Sequence, residues 1–284
     1  MTDHAVDERS KLRDANRDYA IGLARAFGGA IVFALPLLMT MEMWQLGYTM
    51  DRSRLLVFLL ANLLVLLRLA HFAGFEKTSG LRDAAMDALA AYGVGVVAGT
   101  SLLALFGVIA PAMSTGEVIG KIAVQAVPAS FGAVIARKQF GGGDDAEQDE
   151  KERRAGYAGQ LFLMLAGALF MAFNVAPTDE IVLIALVMSP AHELFAIGTS
   201  ILLLHAFVYS VGFSGQKKVS IGVGQNRALL RFTLPGYAVA LAVSLFVLWV
   251  FGRTQEVSSI EVLSMVIVLG LPAAVGAAIA RLLV

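Results

Sequence analysis

Long apolar stretches separated by short polar connectors run along nearly the whole chain. Eight of them approach or exceed the roughly 20 residues that a helix needs to cross the hydrocarbon of a bilayer. They lie at about 20–43, 55–75, 85–110, 118–137, 157–176, 191–212, 229–251 and 261–283, and they predict eight transmembrane helices. A ninth apolar run, IVLIALVM at 181–188, is too short to cross alone. It reads as an interfacial connector or a re-entrant segment, and its counterpart earlier in the chain is MWQLGYTM at 43–50.

The apolar pattern also repeats. EVIGKIAVQAVPASFGAVIAR (117–137) aligns without gaps on EVLSMVIVLGLPAAVGAAIAR (261–281), with close to half of the positions identical. The matches include Glu117/Glu261, Pro128/Pro272, Gly132/Gly276 and Arg137/Arg281. At similar offsets, the stretch from Tyr19 aligns with that from Tyr157, so that Glu42 pairs with Glu180, and 82–107 aligns with 227–252, which sets Tyr92 on Tyr237. This register predicts an all-α fold built as two tandem four-helix repeats, 19–137 and 156–284. A charged segment precedes them at 1–18, and KQFGGGDDAEQDEKER opens the solvated linker at 138–155. Each repeat has an even number of spans. The halves therefore enter the membrane in the same sense, and a parallel pseudo-twofold arrangement is expected rather than an inverted one.

Charge sets the expected orientation. Arg9, Lys11, Arg13 and Arg17 precede the first span, Lys77 and Arg82 follow the second, Lys138, Lys151, Arg153 and Arg154 follow the fourth, and Lys217, Lys218 and Arg227 follow the sixth. The connectors on the other side carry only Arg52, Arg54 and Arg253. Excess Lys and Arg mark the cytoplasmic side, so both termini are expected there. The composition is 58% hydrophobic and 15% charged with no net charge. It fits a lipid bilayer as the principal partner and gives no electrostatic case for nucleic acid. The absence of cysteine removes disulfides, thiolate metal sites and cysteine nucleophiles.

Ionisable residues inside spans are costly and therefore draw attention as functional candidates. Glu42, Glu117, Glu180 and Glu261 all fall at the non-cytoplasmic level of the expected topology, in two pairs related by the repeat. Four carboxylates at one mouth would attract cations. The plainer reading makes them boundary residues, with Glu117 and Glu261 favouring positive helix N-termini. Glu117, Lys121 and Gln125 recur at i, i+4 and i+8, a polar stripe on one helical face that is better placed against protein or water than against lipid. Its counterparts are Glu261, Met265 and Leu269, so the stripe is not duplicated. Pro128 and Pro272 lie mid-span, each four residues before a glycine, Gly132 or Gly276. Kinking or close helix packing is expected there. Asn62, His192, Glu193 and His205 are further polar membrane residues, for which interhelical hydrogen bonding is the simplest role. The metal-protease, serine-hydrolase and phosphate-loop signatures are missing, and four histidines leave little for a zinc cage. No cofactor and no enzymatic role are expected.

RAFGGAIVFALPLLMTMEMWQLGYTM (25–50) and HFAGFEKTSG (71–80) resemble a family of uncharacterised bacterial multi-pass inner-membrane proteins. The resemblance implies a bacterial cytoplasmic-membrane location and brings no substrate or catalytic residue with it. From the residues themselves, the favoured reading is passage of a small inorganic ion, a cation first, between the halves or within a homodimer. The alternative is a membrane scaffold or sensor whose polar residues only pack helices.

Overall fold

The computed structural model describes residues 2–73, 81–140, 156–209 and 229–283. The linker from 141 to 155, the basic loop around Lys77 and the stretch containing Lys217, Lys218 and Arg227 lie outside the described residues. Among the described residues, ten α-helices follow in order: α1 Thr2–Leu38, α2 Met41–Thr49, α3 Arg52–Ala73, α4 Leu81–Leu105, α5 Thr115–Phe140, α6 Gly156–Val175, α7 Glu180–Val187, α8 Pro190–Tyr209, α9 Leu234–Val250 and α10 Ser259–Leu283. A π-helical turn, Leu229–Thr233, leads into α9. Among the described residues, eight of these helices are long and apolar enough to cross a membrane.

Two features lie beyond what hydropathy reads. The charged N-terminal segment ahead of the first span is continuous with it, since α1 runs unbroken from Thr2. Ala, Arg, Lys and Glu are good helix formers, and extending an existing helix avoids the cost of nucleation. The short apolar runs are also helical, as α2 and α7. In α7 only Ile181 and Ala185 are buried, while Leu183, Ile184, Leu186 and Val187 are exposed. An apolar surface of that kind suits a lipid environment.

Helix ends follow local chemistry. Asp51 precedes α3 and accepts from the backbone N–H of Ser53 at 2.9 Å and of Arg54 at 3.3 Å, the arrangement of an N-cap. The Ser53 hydroxyl also donates to Asp51. These hydrogen bonds, that from the Ser53 side chain first, hold the Asp51 carboxyl below its usual range. α5 and α10 each begin with S-x-x-E. Ser114 Oγ accepts from Glu117 N at 3.3 Å, and Ser258 Oγ accepts from Glu261 N at 3.2 Å. Glu261 completes a capping box by accepting from Ser258 N at 2.8 Å. α4 and α9 end alike. Gly107 (φ 69°) and Gly252 (φ 78°) take left-handed backbone. The bonds Val108 N to Leu103 O and Arg253 N to Leu248 O, both 2.9 Å, close the same Schellman turn.

The helices form two compact units, Met1–Met39 with Leu59–Gly143, and Thr40–Phe58 with Asp144–Val284. In the first unit α5 packs on both α1 and α4, and in the second α10 packs on α6, α7, α8 and α9. α5 is the most enclosed span, with 72% of its apolar window buried, against 11% for α8. The second unit takes in α2 and the start of α3. Phe58 is buried there with its ring edge-on to Phe173 (centroids 5.1 Å apart) and Phe251 (5.5 Å), and the Arg54 guanidinium lies 5.4 Å from the Trp249 ring centre. These contacts give residues 40–58 their place, so the compact units do not coincide with the halves defined by the sequence repeat.

Glycine sets the closest helix approaches. A methyl group built on Gly29 would lie 2.0 Å from Ala136 Cβ and 2.5 Å from Gly132 O. One built on Gly167 would lie 2.2 Å from Gly276 O and 2.5 Å from Ala280 Cβ. The sequence alignment pairs Gly29 with Gly167, Gly132 with Gly276 and Ala136 with Ala280. Each unit therefore contains a crossing of the same kind, backbone against backbone, between its first long helix and its last. Pro128 and Pro272 lie inside α5 and α10, which both remain helical through them.

Candidate functional site

The polar stripe of α5 lies inside the first unit. Lys121 is 6% exposed, and its Nζ is 2.8 Å from Glu117 Oε1, 3.3 Å from the Val108 carbonyl oxygen and 3.5 Å from Met113 Sδ. The ammonium thus ties the first turns of α5 to the connector that follows α4. Its partners include a carboxylate, a carbonyl and a thioether, and the carboxylate offsets much of the cost of burying a cation. Two turns along from Glu117, buried Gln125 donates from Nε2 to the Ala34 carbonyl of α1 at 2.8 Å. A side chain at Gly99 of α4 would press on Gln125, with a methyl group 3.3 Å from its Cγ. The stripe is therefore enclosed by α1 and α4.

Further along the first unit, Asn62 of α3 donates from Nδ2 to Ser130 Oγ at 3.0 Å, and Ser130 donates to the Val127 carbonyl at 2.7 Å. Tyr92 of α4 is a side-chain partner of Asn62. Asn62 and Ser130 are buried, as is Asp87 of α4. Close contact is again permitted by glycine, since a methyl group on Gly95 would meet the Ser130 nitrogen at 2.7 Å. From Glu117 to Asp87 the interior of the first unit carries Lys121, Gln125, Ser130, Asn62 and Tyr92 as a file of polar groups along the span.

The second unit is drier at the corresponding places. Met265 and Leu269 are buried where the first unit has Lys121 and Gln125. Its polar contacts lie elsewhere. Ser264 of α10 donates to Glu193 of α8, and His205 Nδ1 is 2.9 Å from Thr233 Oγ1 in the π-helical turn. His192 is exposed and pairs locally with Ser189 Oγ at 2.9 Å. Arg253, in the connector after α9, donates to the Pro177 carbonyl and lies 2.7 Å from Asp179.

The four candidate glutamates have different surroundings. Glu117 belongs to the first unit and is paired with Lys121, while Glu261 is held by its own helix start in the second. Glu42 is half-buried in the first turn of α2, and Glu180 is exposed at the first residue of α7. Sequence reasoning missed the capping role of Ser114 and Ser258, although S-x-x-E was there to be read. It also passed over Tyr92 and Tyr237 as polar sites, despite their alignment. No sequence signal marked the Val108 carbonyl as a partner of Lys121. Among the described residues, no group of three or more His, Cys, Asp or Glu is placed to hold a metal ion.

The eight long apolar helices among the described residues, with their exposed apolar side chains, define a multi-pass integral membrane protein. The chain belongs to the family of integral membrane proteins designated DUF2391, whose model it matches over residues 22–284. No curated protein matches the chain, and neither does any solved structure.

Proposed function

We propose that the protein passes a small inorganic ion, a cation first, across a bacterial cytoplasmic membrane in which both chain termini face the cytoplasm. The observation that carries this reading is the environment of Lys121. A buried ammonium ion is held by a carboxylate, a carbonyl oxygen and a thioether at the head of a buried polar file. Ionisable groups within a span are costly, and they recur where ions or substrates move. The Glu117 carboxylate and Val108 carbonyl would serve a metal cation as they serve the lysine. Lys121 then acts as a tethered counter-ion that an arriving cation displaces. Glu42, Glu180 and Glu261, on the non-cytoplasmic side by the expected topology, would raise the cation concentration on that side of the membrane.

The reading includes a tandem duplication of the four-helix unit. It is supported by the paired glycine crossings, the paired Schellman turns and the paired S-x-x-E helix starts, all at positions that the sequence alignment matches. In this view the first copy kept the polar file and the second became apolar there. The capping of Glu261 and the pairing of Glu117 equally suit the alternative, a scaffold or sensor whose polar groups only join helices.

Purified protein in liposomes, assayed for flux of K⁺, Na⁺, H⁺, Ca²⁺ and Mg²⁺, tests the proposal. Lys121→Met should raise cation flux by leaving Glu117 free, and Glu117→Gln should lower it. The combined Gln replacement of Glu42, Glu117, Glu180 and Glu261 should lower it further while the protein still folds. Folded wild-type protein that passes none of the five ions would favour the scaffold.

A further inference from the structure

Two short helices of the second compact unit, α2 and α7, occupy matching places in the sequence alignment, 43–50 on 181–188. They bury the same positions. Met43 and Gly47 are the buried pair of α2, and the residues aligned with them, Ile181 and Ala185, are the buried pair of α7. Their outward positions differ in chemistry. Gln45, Tyr48 and Thr49 of α2 correspond to Leu183, Leu186 and Val187 of α7. Tyr48 and Thr49 are exposed, and so are Leu183, Ile184, Leu186 and Val187, the last to 84%. At about 3.6 residues per turn, these four apolar residues lie on the side of α7 opposite Ile181 and Ala185.

A helix that rests on a membrane surface shows water a polar face. Residues 181–188 contain no polar side chain, whereas α2 carries Glu42, Gln45 and the aromatic Trp44 and Tyr48 that suit the headgroup level. The two ends of α7 are polar. Asp179, 2.7 Å from Arg253, and Glu180 are exposed at its start, and Ser189 and His192, joined at 2.9 Å, are exposed just beyond its end. Polar groups at both ends hold both at one depth, so that α7, about 12 Å long, lies along the boundary instead of plunging across it. The exposed apolar run continues into α8, a helix long and apolar enough to cross the membrane, where Leu194 and Phe195 are exposed in the first two turns. We infer that the outward face of α7 is a lipid-binding surface, lying beneath the headgroups against phospholipid acyl chains, while the matching face of α2 stays among headgroups and water. Lipid is the occupant because this face is continuous with that of a membrane-crossing helix. It binds hydrocarbon without choosing a headgroup, since 181–188 offers no charge to recognise one. The inference does not depend on ion passage.

The chain has no cysteine, so single-cysteine variants of the full-length protein can each carry one nitroxide label. Electron paramagnetic resonance in phosphatidylcholine vesicles then compares collision with oxygen, which concentrates in hydrocarbon, and with a water-soluble nickel chelate. Labels at Leu183→Cys and Val187→Cys should meet oxygen several-fold more readily than nickel, and the label at Thr49→Cys, aligned with Val187, should show the reverse preference. The first two should also report the same depth, whereas a helix normal to the membrane would separate them by about 6 Å. Both side chains are exposed, and Leu186→Cys replaces either variant that fails to fold. Nickel access at Val187→Cys equal to that at Thr49→Cys would mean that the face meets water and would overturn the inference. Poor access to both reagents would mean a protein cover, such as a second copy of the chain, and would overturn it equally. A depth difference near 6 Å would overturn the placement of α7 along the boundary.

Discussion

Gly28 and Gly29 are neighbours in α1, and replacing each by alanine should move stability in opposite directions. At Gly28 an added methyl group meets nothing within 4 Å, whereas at Gly29 it would lie 2.0 Å from Ala136 Cβ and 2.5 Å from Gly132 O. Both substitutions gain about 1 kcal/mol of helix propensity. Carbon atoms pack at about 3.5–4.0 Å, so Gly29→Ala must push α1 and α5 apart by roughly 1.5 Å at their crossing. Overpacking of that kind costs about 1–3 kcal/mol, occasionally more. The propensity gain is common to both, so the variants should differ by about 1–3 kcal/mol, and 2 kcal/mol corresponds to about a thirtyfold change in the ratio of folded to unfolded protein. Titration of the purified protein with a denaturing detergent, followed by circular dichroism, measures the difference. The same comparison applies to Gly167→Ala, where Gly276 O would be 2.2 Å away. If Gly29→Ala were as stable as Gly28→Ala, the backbone-to-backbone crossing would be refuted, and with it the strongest feature common to the two units.

Three further outcomes follow from the helix ends and the charge pattern. Gly107→Ala and Gly252→Ala should each destabilise by roughly 1–2 kcal/mol in the same detergent titration, because both glycines hold left-handed backbone that a Cβ disfavours. Asp51 has a lowered pKa in the folded protein, so its contribution to stability is complete above the ordinary aspartate range and is lost as pH falls through the folded value. Asp51→Ala should therefore be less stable than wild type at neutral pH, and the gap should close in acid when the two are titrated side by side. Reporter fusions after Gly143 should give a cytoplasmic signal, as the Lys and Arg asymmetry requires, and a periplasmic one would reverse the expected orientation.

Much of this architecture is legible along the chain because a bilayer imposes a simple rule: a crossing segment must be apolar and must satisfy its own backbone. Run length therefore locates the eight long helices, and Lys and Arg placement gives an expected orientation. The gapless match of 117–137 to 261–281 points to Pro128, Gly132, Pro272 and Gly276. Spacing also puts Glu117, Lys121 and Gln125 on one face of α5. Spacing cannot say what that face meets. Only the packing of α5 between α1 and α4 brings Lys121 to the Val108 carbonyl and Gln125 to that of Ala34, because these partners are backbone atoms that every residue possesses. The same holds for Gly29, one of 28 glycines in the chain until the fold sets it against Gly132. Residues 40–58 belong by sequence to the first half, yet Phe58 and Arg54 find their aromatic partners, Phe173, Phe251 and Trp249, in the second unit. Hydropathy is a property of single segments and can be read locally, whereas the choice of partner depends on surfaces brought together from distant parts of the chain, and that choice was made by the tertiary structure.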